Sequence, residues 1–329
     1  AEQFKKVGSI IKSDTSRRFV VPSAPGKRFS GDTKVTDMLY SCYNTAQNGG
    51  DFDSVFAMVK DRFDSIIAGL GLSLDLSAEY EHIKWAILHH AGRDYAASRG
   101  EYLNGMILAE YLGYDFIDPA DYIKFCDDGS FDAETTNGIL SEEMKKHENG
   151  VIPGFYGSHP NGTIRTFSRG GSDITGSIVA RSVYADLYEN WTDVNGFLMA
   201  DPRIVPGAKT IKYITYRELR ELSYMGATVL HEDAIFPVRF AGIPVNIRNT
   251  NDVSDPGTMI VSHTDSYDSD DIITGVAGKK GFCVITIEKA LMNSEKGFGR
   301  KVLEAIEKEN LSFEHLPSGI DTMSVILNK

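Results

Sequence analysis

Residues 168–173 read "SRGGSD", which places Arg169, two glycines, Ser172 and Asp173 just ahead of an apolar run with helical spacing. Glycines let a ligand approach the backbone closely. The first N–H groups of a helix lack internal partners and the helix dipole is positive there, so an anion is welcome. Arg169 adds a planar fork suited to a carboxylate. Asp173 adds a negative charge that an anion alone would not seek. Together they suit a zwitterion, with its carboxylate near Arg169 and its ammonium near Asp173. The competing reading is a glycine-rich turn with Ser172 or Asp173 as helix N-cap. The pattern alone leaves both open.

A second polar constellation lies in "ENWTDVNGFLMADPRIVPGA", residues 189–208. "DVNG" and "ADPR" are tight-turn sequences, and they carry Thr192, Asp193 and Arg203. Taken alone they read first as surface turn chemistry, and Trp191 reads as a core residue. "SRGE", residues 98–101, is expected to open a helix, with Glu101 a first-turn carboxylate facing the helix dipole. His89, His90, His231 and His263 form no i,i+4 or HExxH pattern, so no metal site is expected. The chain contains no GxxxxGK[ST], no GxGxxG and no serine nucleophile elbow.

The elements that must position these groups follow from periodicity. "RFVVPS" (18–23) reads as a buried strand opening into the polar loop "APGKRFSGDTK". Loops at the carboxyl ends of strands are where open α/β sheets bind ligands. Helices are expected from residue 35, over 51–71, around 78–93 and 101–112, through "SEEMKKHEN" to Asn149, and over 174–188. "GVIPGFYGS" (150–158) reads as a strand feeding a loop, and "NG" at 161–162 as a hairpin turn. "PVNIRN" and "TMIVS" are further strands. This alternation argues for an α/β fold, a three-layer αβα sandwich with a mostly parallel sheet. The acidic run at 263–271 reads as a linker between a domain spanning 1–262 and a smaller one spanning 272–329. In the latter, strand, helix and two strands follow the order of a partial ferredoxin-like module.

Composition excludes several classes. A chain of 329 residues with net charge −12 and no Lys/Arg block longer than two residues repels nucleic acid. No apolar run approaches a membrane span, so no membrane partner is expected. Three scattered cysteines suit a reducing cytoplasm rather than a disulfide framework. A small-molecule partner remains.

Taken in order, "VVPSAPG…KVTDML", "SRGE", "PGFYGS", "SRGGSD", "WTDVNGFLMADPRIVP", "ELSYMGATVLHEDAIFPV" and "GIPVNIRNTND…PGTMI" resemble the aspartate kinases of the amino-acid-kinase superfamily, followed by a regulatory module of ACT type. The resemblance covers nearly the whole chain. It implies transfer of the ATP γ-phosphoryl to the side-chain carboxylate of L-aspartate with Mg²⁺, giving 4-phospho-L-aspartate, the first step of lysine, threonine and methionine biosynthesis. It also implies that Arg169 clamps the substrate α-carboxylate, that Glu101 and Asp173 hold its ammonium, and that Ser23, Thr36, Phe155 and Ser172 complete the pocket. Thr192, Asp193, Leu198, Arg203 and Thr228 are placed along the nucleotide. Leu198 stands where many members carry Tyr, and Thr228 where many carry Lys. A strand and a Lys-Phe-Gly-Gly motif, whose lysine meets the transferring phosphate, are expected ahead of Ala1, and the ACT module is expected to continue past Lys329. Without that lysine the chain as written is expected to be nearly inactive.

The same resemblance places an amino-acid effector, lysine ahead of threonine, at Met292, Asn293, Ser294, Gly297 and Phe298, with Ser312, Glu314, Asp321 and Thr322 on neighbouring strands. It further implies a homodimer or higher oligomer through the ACT modules. Read without it, "NSEKG" is an ordinary capped turn. The alternatives are a non-catalytic amino-acid sensor or dimerisation partner, which binds amino acid without turning over ATP, and a sibling kinase of glutamate type.

Overall fold

The computed structural model describes residues 1–168, 170–225, 232–264 and 272–329. In chain order the first elements are α1 (Glu2–Lys12), β1 (Phe19–Val20), α2 (Val35–Gln47), α3 (Phe52–Leu70), α4 (Ser77–Leu88), α5 (Arg93–Leu112) and β2 (Asp115–Phe116). Next come α6 (Pro119–Tyr122), α7 (Ala133–Met144), β3 (Gly150–Val151), β4 (Tyr156–Ser158), β5 (Ile164–Thr166), α8 (Gly171–Ser182) and β6 (Tyr188–Thr192). β7 (Tyr213–Thr215), α9 (Tyr216–Tyr224), α10 (Phe236–Ala241), β8 (Val245–Asn249) and β9 (Thr258–Val261) follow. The last are β10 (Phe282–Glu288), α11 (Phe298–Lys308), β11 (Phe313–His315) and β12 (Thr322–Asn328).

The chain divides into two compact units, residues 1–277 and 278–329. In the first, β1, β3 and β2 form an all-parallel sheet in which Val20, Val151 and Phe116 stand side by side. A second sheet, ordered β6-β8-β9-β7, is parallel at both outer pairs and antiparallel between β8 and β9. β4 and β5 form the hairpin expected from Asn161–Gly162. The mostly parallel α/β class is therefore as read from the sequence. The acidic stretch 265–271 lies outside the described residues. Residues 272–277 pack with the first unit through Thr274 on Glu218 and the Val276 N–H on the Met199 carbonyl. Among the described residues no helix is long and apolar enough to cross a membrane.

α3 shows how local sequence sets an element. The Asp51 carboxylate accepts from the Ser54 N–H at its start, and Gly71 closes it in the left-handed conformation. Phe52, Phe56, Val59, Phe63, Ile66 and Ile67 recur at helical spacing and are buried against α2, α4 and α5. A second core joins α8, α9 and α10 to the β6-β8-β9-β7 sheet through Ile214, Leu219, Val238, Val245, Ile247 and Ile260.

Several expectations need correction. α5 begins at Arg93, eight residues before Glu101, so "SRGE" lies inside a helix rather than opening one. Its first half is buried on nearly every side by Ala96, Ala97, Ser98, Arg99 and Gly100, which erases the one-faced periodicity that marks a helix. α7 ends at Met144, short of Asn149, and α8 ends at Ser182, leaving Tyr188 to open β6. Trp191 is not core. It is half-buried on β6 between the guanidinium groups of Arg17 and Arg248, at 5.4 and 4.6 Å from the ring centre.

The second unit is an antiparallel sheet ordered β10-β12-β11 with α11 alongside, in the expected strand–helix–strand–strand order. Val325, Leu327, Met323 and Met292 are its buried apolar residues.

Phe63 is fully buried at the centre of the helical core. Phe63→Ala is expected to cost about 3–5 kcal/mol, seen as a lowered urea midpoint with an unchanged slope.

Candidate active site

Because β1 and β3 are parallel and in register, the chain leaves both at the same carboxyl edge. The Ile152 N–H donates to the Val20 carbonyl at 2.9 Å, and the Gly154 N–H to the Pro22 carbonyl at 3.0 Å. Ser23 and Phe155 thus emerge next to each other. α8 starts against the same edge. A Cβ placed on Gly154 would lie 2.6 Å from the Ser172 hydroxyl, and one on Gly171 only 2.5 Å from the Phe155 ring, so both contacts require glycine. Phe155 has φ +83°. It is held in that uncommon conformation because its N–H donates to Thr175 Oγ1 at 3.1 Å and its carbonyl accepts from the Phe167 N–H at 2.9 Å.

The floor of this edge is α5. A Cβ on Gly100 would meet Ala24 at 3.0 Å and Val35 at 3.3 Å, so the glycine of "SRGE" lets the β1 loop and the start of α2 press onto the helix. Glu101 is consequently only 6% exposed, and its Oε2 has no hydrogen-bond partner among the described residues. Burial pushes its carboxyl up to about 7, against the opposing pull of the Ala24 N–H, its own N–H and Arg99. One turn on, Asn104 donates to the Ser23 carbonyl at 2.7 Å, while its own Oδ1 is buried without a partner. Two orphaned acceptors on one helix face, beneath Ser23 and Ala24, are a place for a cationic group.

At α8, Gly170 takes the N-cap position with φ +55°, and no side chain caps the helix. Ser172 and Asp173 are therefore first-turn residues and not the cap. Asp173 Oδ1 accepts from Asn190 on β6 at 2.8 Å, and the Tyr188 hydroxyl donates to the Asp173 carbonyl at 3.2 Å. Arg169 lies outside the described residues. Thr36, half-buried, is the second residue of α2 beside Val35, which packs on Gly100.

The residues assigned to the nucleotide are more dispersed. Thr192 ends β6 and its hydroxyl donates to Asp193 at 3.3 Å in the exposed loop beyond. Leu198 is half-buried and bridges to Thr210. Arg203 is exposed and forked onto Asp201, at 2.6 Å for the closest pair, which holds the Asp201 carboxyl down to about 2. Thr228 and His231 lie outside the described residues. Among the described residues no group of three or more His, Cys, Asp or Glu could hold a metal ion.

In the second unit, Met292, Asn293 and Ser294 form a single 3₁₀ turn after β10, Gly297 caps α11 and Phe298 opens it. Asp321, just before Thr322 at the start of β12, accepts from the Leu291 N–H at 2.8 Å and ties that turn to the sheet. Ser312 and Glu314 flank Phe313, which pairs with Leu327, whereas Thr322 pairs with Glu288 at the other end of β12. The register within one chain brings Asp321 and Thr322 to the turn, but leaves Ser312 at the opposite end of the sheet.

Three features escaped sequence reasoning. Asn104 is a lone amide whose partner, Ser23, lies 81 residues away, and Asn190 joins Asp173, 17 residues back, to Tyr188. Arg99 is buried, with Tyr95, Tyr102 and Tyr156 rings 4.5, 4.4 and 5.2 Å from its guanidinium carbon. Tyrosines four before and three after an arginine on one helix were a legible signal for such a cage.

The sequence model of the amino acid kinase family matches residues 2–249. Aspartokinase 3 of Bacillus subtilis is 39% identical over 342 residues, covering 99% of this chain and 75% of that protein. The crystal structure of Clostridium acetobutylicum aspartate kinase superposes with a TM-score of 0.90 at 55% identity, over 99% of this chain and 75% of that one. Escherichia coli aspartokinase III in complex with aspartate and ADP shares the fold, with a TM-score of 0.74 at 23% identity over the same shares, 99% and 75%.

The buried Glu101 sets a pH signature. Its folded-state pKa lies above its ordinary value, so the folded protein holds the extra proton and loses stability as pH rises from about 4.5 to about 7. Replacing it by Glu101→Gln is expected to remove that loss, which is on the order of 3 kcal/mol across this window. Urea unfolding of both proteins at pH 5 and pH 8 checks it: the variant gains on the parent at pH 8.

Proposed function

The chain belongs to the aspartate kinases of the amino acid kinase family, and from that premise we propose how its residues carry the transfer of the ATP γ-phosphoryl to the side-chain carboxylate of L-aspartate. The observation that carries the assignment is Glu101: a buried carboxylate with an oxygen that has no partner among the described residues, next to the Gly100 on which the loop leaving β1 rests. The substrate ammonium sits on Glu101, whose ionised form it stabilises, with Asp173 held toward the same pocket by Asn190. The substrate α-carboxylate takes the first-turn amides of α8 and the Arg169 guanidinium. Ser23, Thr36, Phe155 and Ser172 shape the walls.

The reacting carboxylate has an ordinary pKa near 4, so it is ionised at neutral pH and attacks without a general base. What the chain must supply is position and relief of anion–anion repulsion. Thr192, Asp193, Leu198, Arg203 and Thr228 are assigned to ATP, on the loops beyond β6 and after α9. Arg203 is already paired with Asp201, so its part there requires it to exchange partners. Mg²⁺ accompanies the nucleotide. The described residues offer it no cage, which suits an ion carried mainly by phosphates and water, and no step is assigned to it.

Residues 1–262 form the catalytic region and the second compact unit, residues 278–329, the effector-binding domain in this reading; the sequence boundary at 272 moves to 278 because 272–277 pack with the first unit. Lysine is the proposed effector, held by Met292, Asn293, Ser294, Gly297, Phe298, Asp321 and Thr322, with Ser312 and Glu314 facing it across a homodimer or larger assembly.

Hydroxylamine trapping on the full-length protein tests the activity. With MgATP, L-aspartate is expected to yield hydroxamate and L-glutamate none, and lysine to suppress the yield. Glu101→Gln is expected to lower kcat/KM for aspartate at least about 100-fold, as loss of a charge-assisted contact in a desolvated site does. Binding of aspartate with no hydroxamate would instead favour the sensor.

A further inference from the structure

The loop joining Ser23 to Thr36 has no regular secondary structure, and most of its residues are exposed. Asp32 is the exception, at 8% exposure. Its carboxylate takes the Arg28 backbone N–H and Nε, both at 2.9 Å, the Arg28 Nη2 at 3.0 Å, and the Arg62 Nη2 at 2.7 Å. Arg62 belongs to α3 and is 4% exposed, between the fully buried Val59 and Phe63. Its guanidinium also donates to the Gly26 carbonyl at 3.0 Å and the Thr33 carbonyl at 3.3 Å. One buried cation therefore gathers three points of the loop onto a helix that itself reaches neither Ser23 nor Glu101 by any hydrogen bond described. A buried charge left without its partner is strongly unfavourable, so the loop cannot leave Arg62 without a penalty. Lysine is a poor replacement, because its three donors share one nitrogen, whereas the Arg62 contacts are divided between two guanidinium nitrogens.

We propose that the Arg62–Asp32–Arg28 clamp is the positioning element of the substrate loop, fixing the span between Ser23 and Thr36 and thereby the affinity for aspartate. This rests on the pocket assignment above. The clamp touches no reacting atom. Its effect falls on the amino-acid substrate rather than on the nucleotide or the chemical step, because the tethered loop runs from the end of β1 to the start of α2 and no hydrogen bond among the described residues joins it to β6.

The test is steady-state kinetics on the full-length protein with four substitutions. Arg62→Lys and Asp32→Asn are expected to raise KM for aspartate on the order of tenfold, with kcat and KM for ATP within about twofold. Arg28→Ala removes an exposed arm and leaves the buried pair, so it is expected to fold and to raise KM for aspartate by a smaller factor. It decides the matter if the buried variants do not fold. Thr36→Val is the pocket control. If it raises KM for aspartate while the folded clamp variants leave it unchanged, the clamp is refuted alone. If Thr36→Val itself leaves KM unchanged, the pocket assignment fails and the clamp fails with it. Clamp variants that lower kcat with KM intact also overturn it.

Discussion

The site depends on one close approach: Ala24, leaving β1, rests on Gly100 in the middle of α5. That contact seals the helix under the loop and takes the next residue, Glu101, out of water. A carboxylate in such a place prefers its proton until a cation arrives. In the reading proposed above, the substrate ammonium is that cation. The raised carboxyl, the orphaned Oε2 and the glycine of the motif are three views of the same constraint.

Everything else serves to bring other groups to that edge. Parallel pairing of β1 and β3 puts Ser23 and Phe155 on one side of the sheet. Two glycine contacts then let the start of α8 come against the Phe155 turn. Asn190 fixes Asp173 from β6, the strand whose far end carries Thr192, so one strand ties together the residues proposed for substrate and for nucleotide.

Much of this was legible in the sequence, for reasons that can be named. α3 was readable because one face is buried and its ends carry Asp51 and Gly71. The loops at the ends of β1 and β3 were readable because Pro and Gly punctuate short β-branched runs. The start of α5 was not. A helix buried all round with small residues has no periodic stripe, so Glu101 looked like a first-turn carboxylate when it is an interior one. The same holds for Asp173, which seemed a candidate cap until Gly170 was seen to take that position. Asn104, Arg62 and Asp32 were invisible for another reason: each gains its meaning from a partner 30 or 81 residues away, and Asn190 from Asp173 across the turn between α8 and β6. Arg169 and Thr228 lie outside the described residues, and their roles rest on family resemblance.

The most direct measurement of the central claim is the proton count on aspartate binding, by titration calorimetry in buffers of differing ionisation enthalpy. If Glu101 is neutral in the free protein below about 7 and ionised against the substrate ammonium, then binding at pH 6 releases a proton, the release fades toward pH 8.5, and Glu101→Gln abolishes it. Aspartate binding at pH 6 with no proton released, or with one taken up, would contradict it.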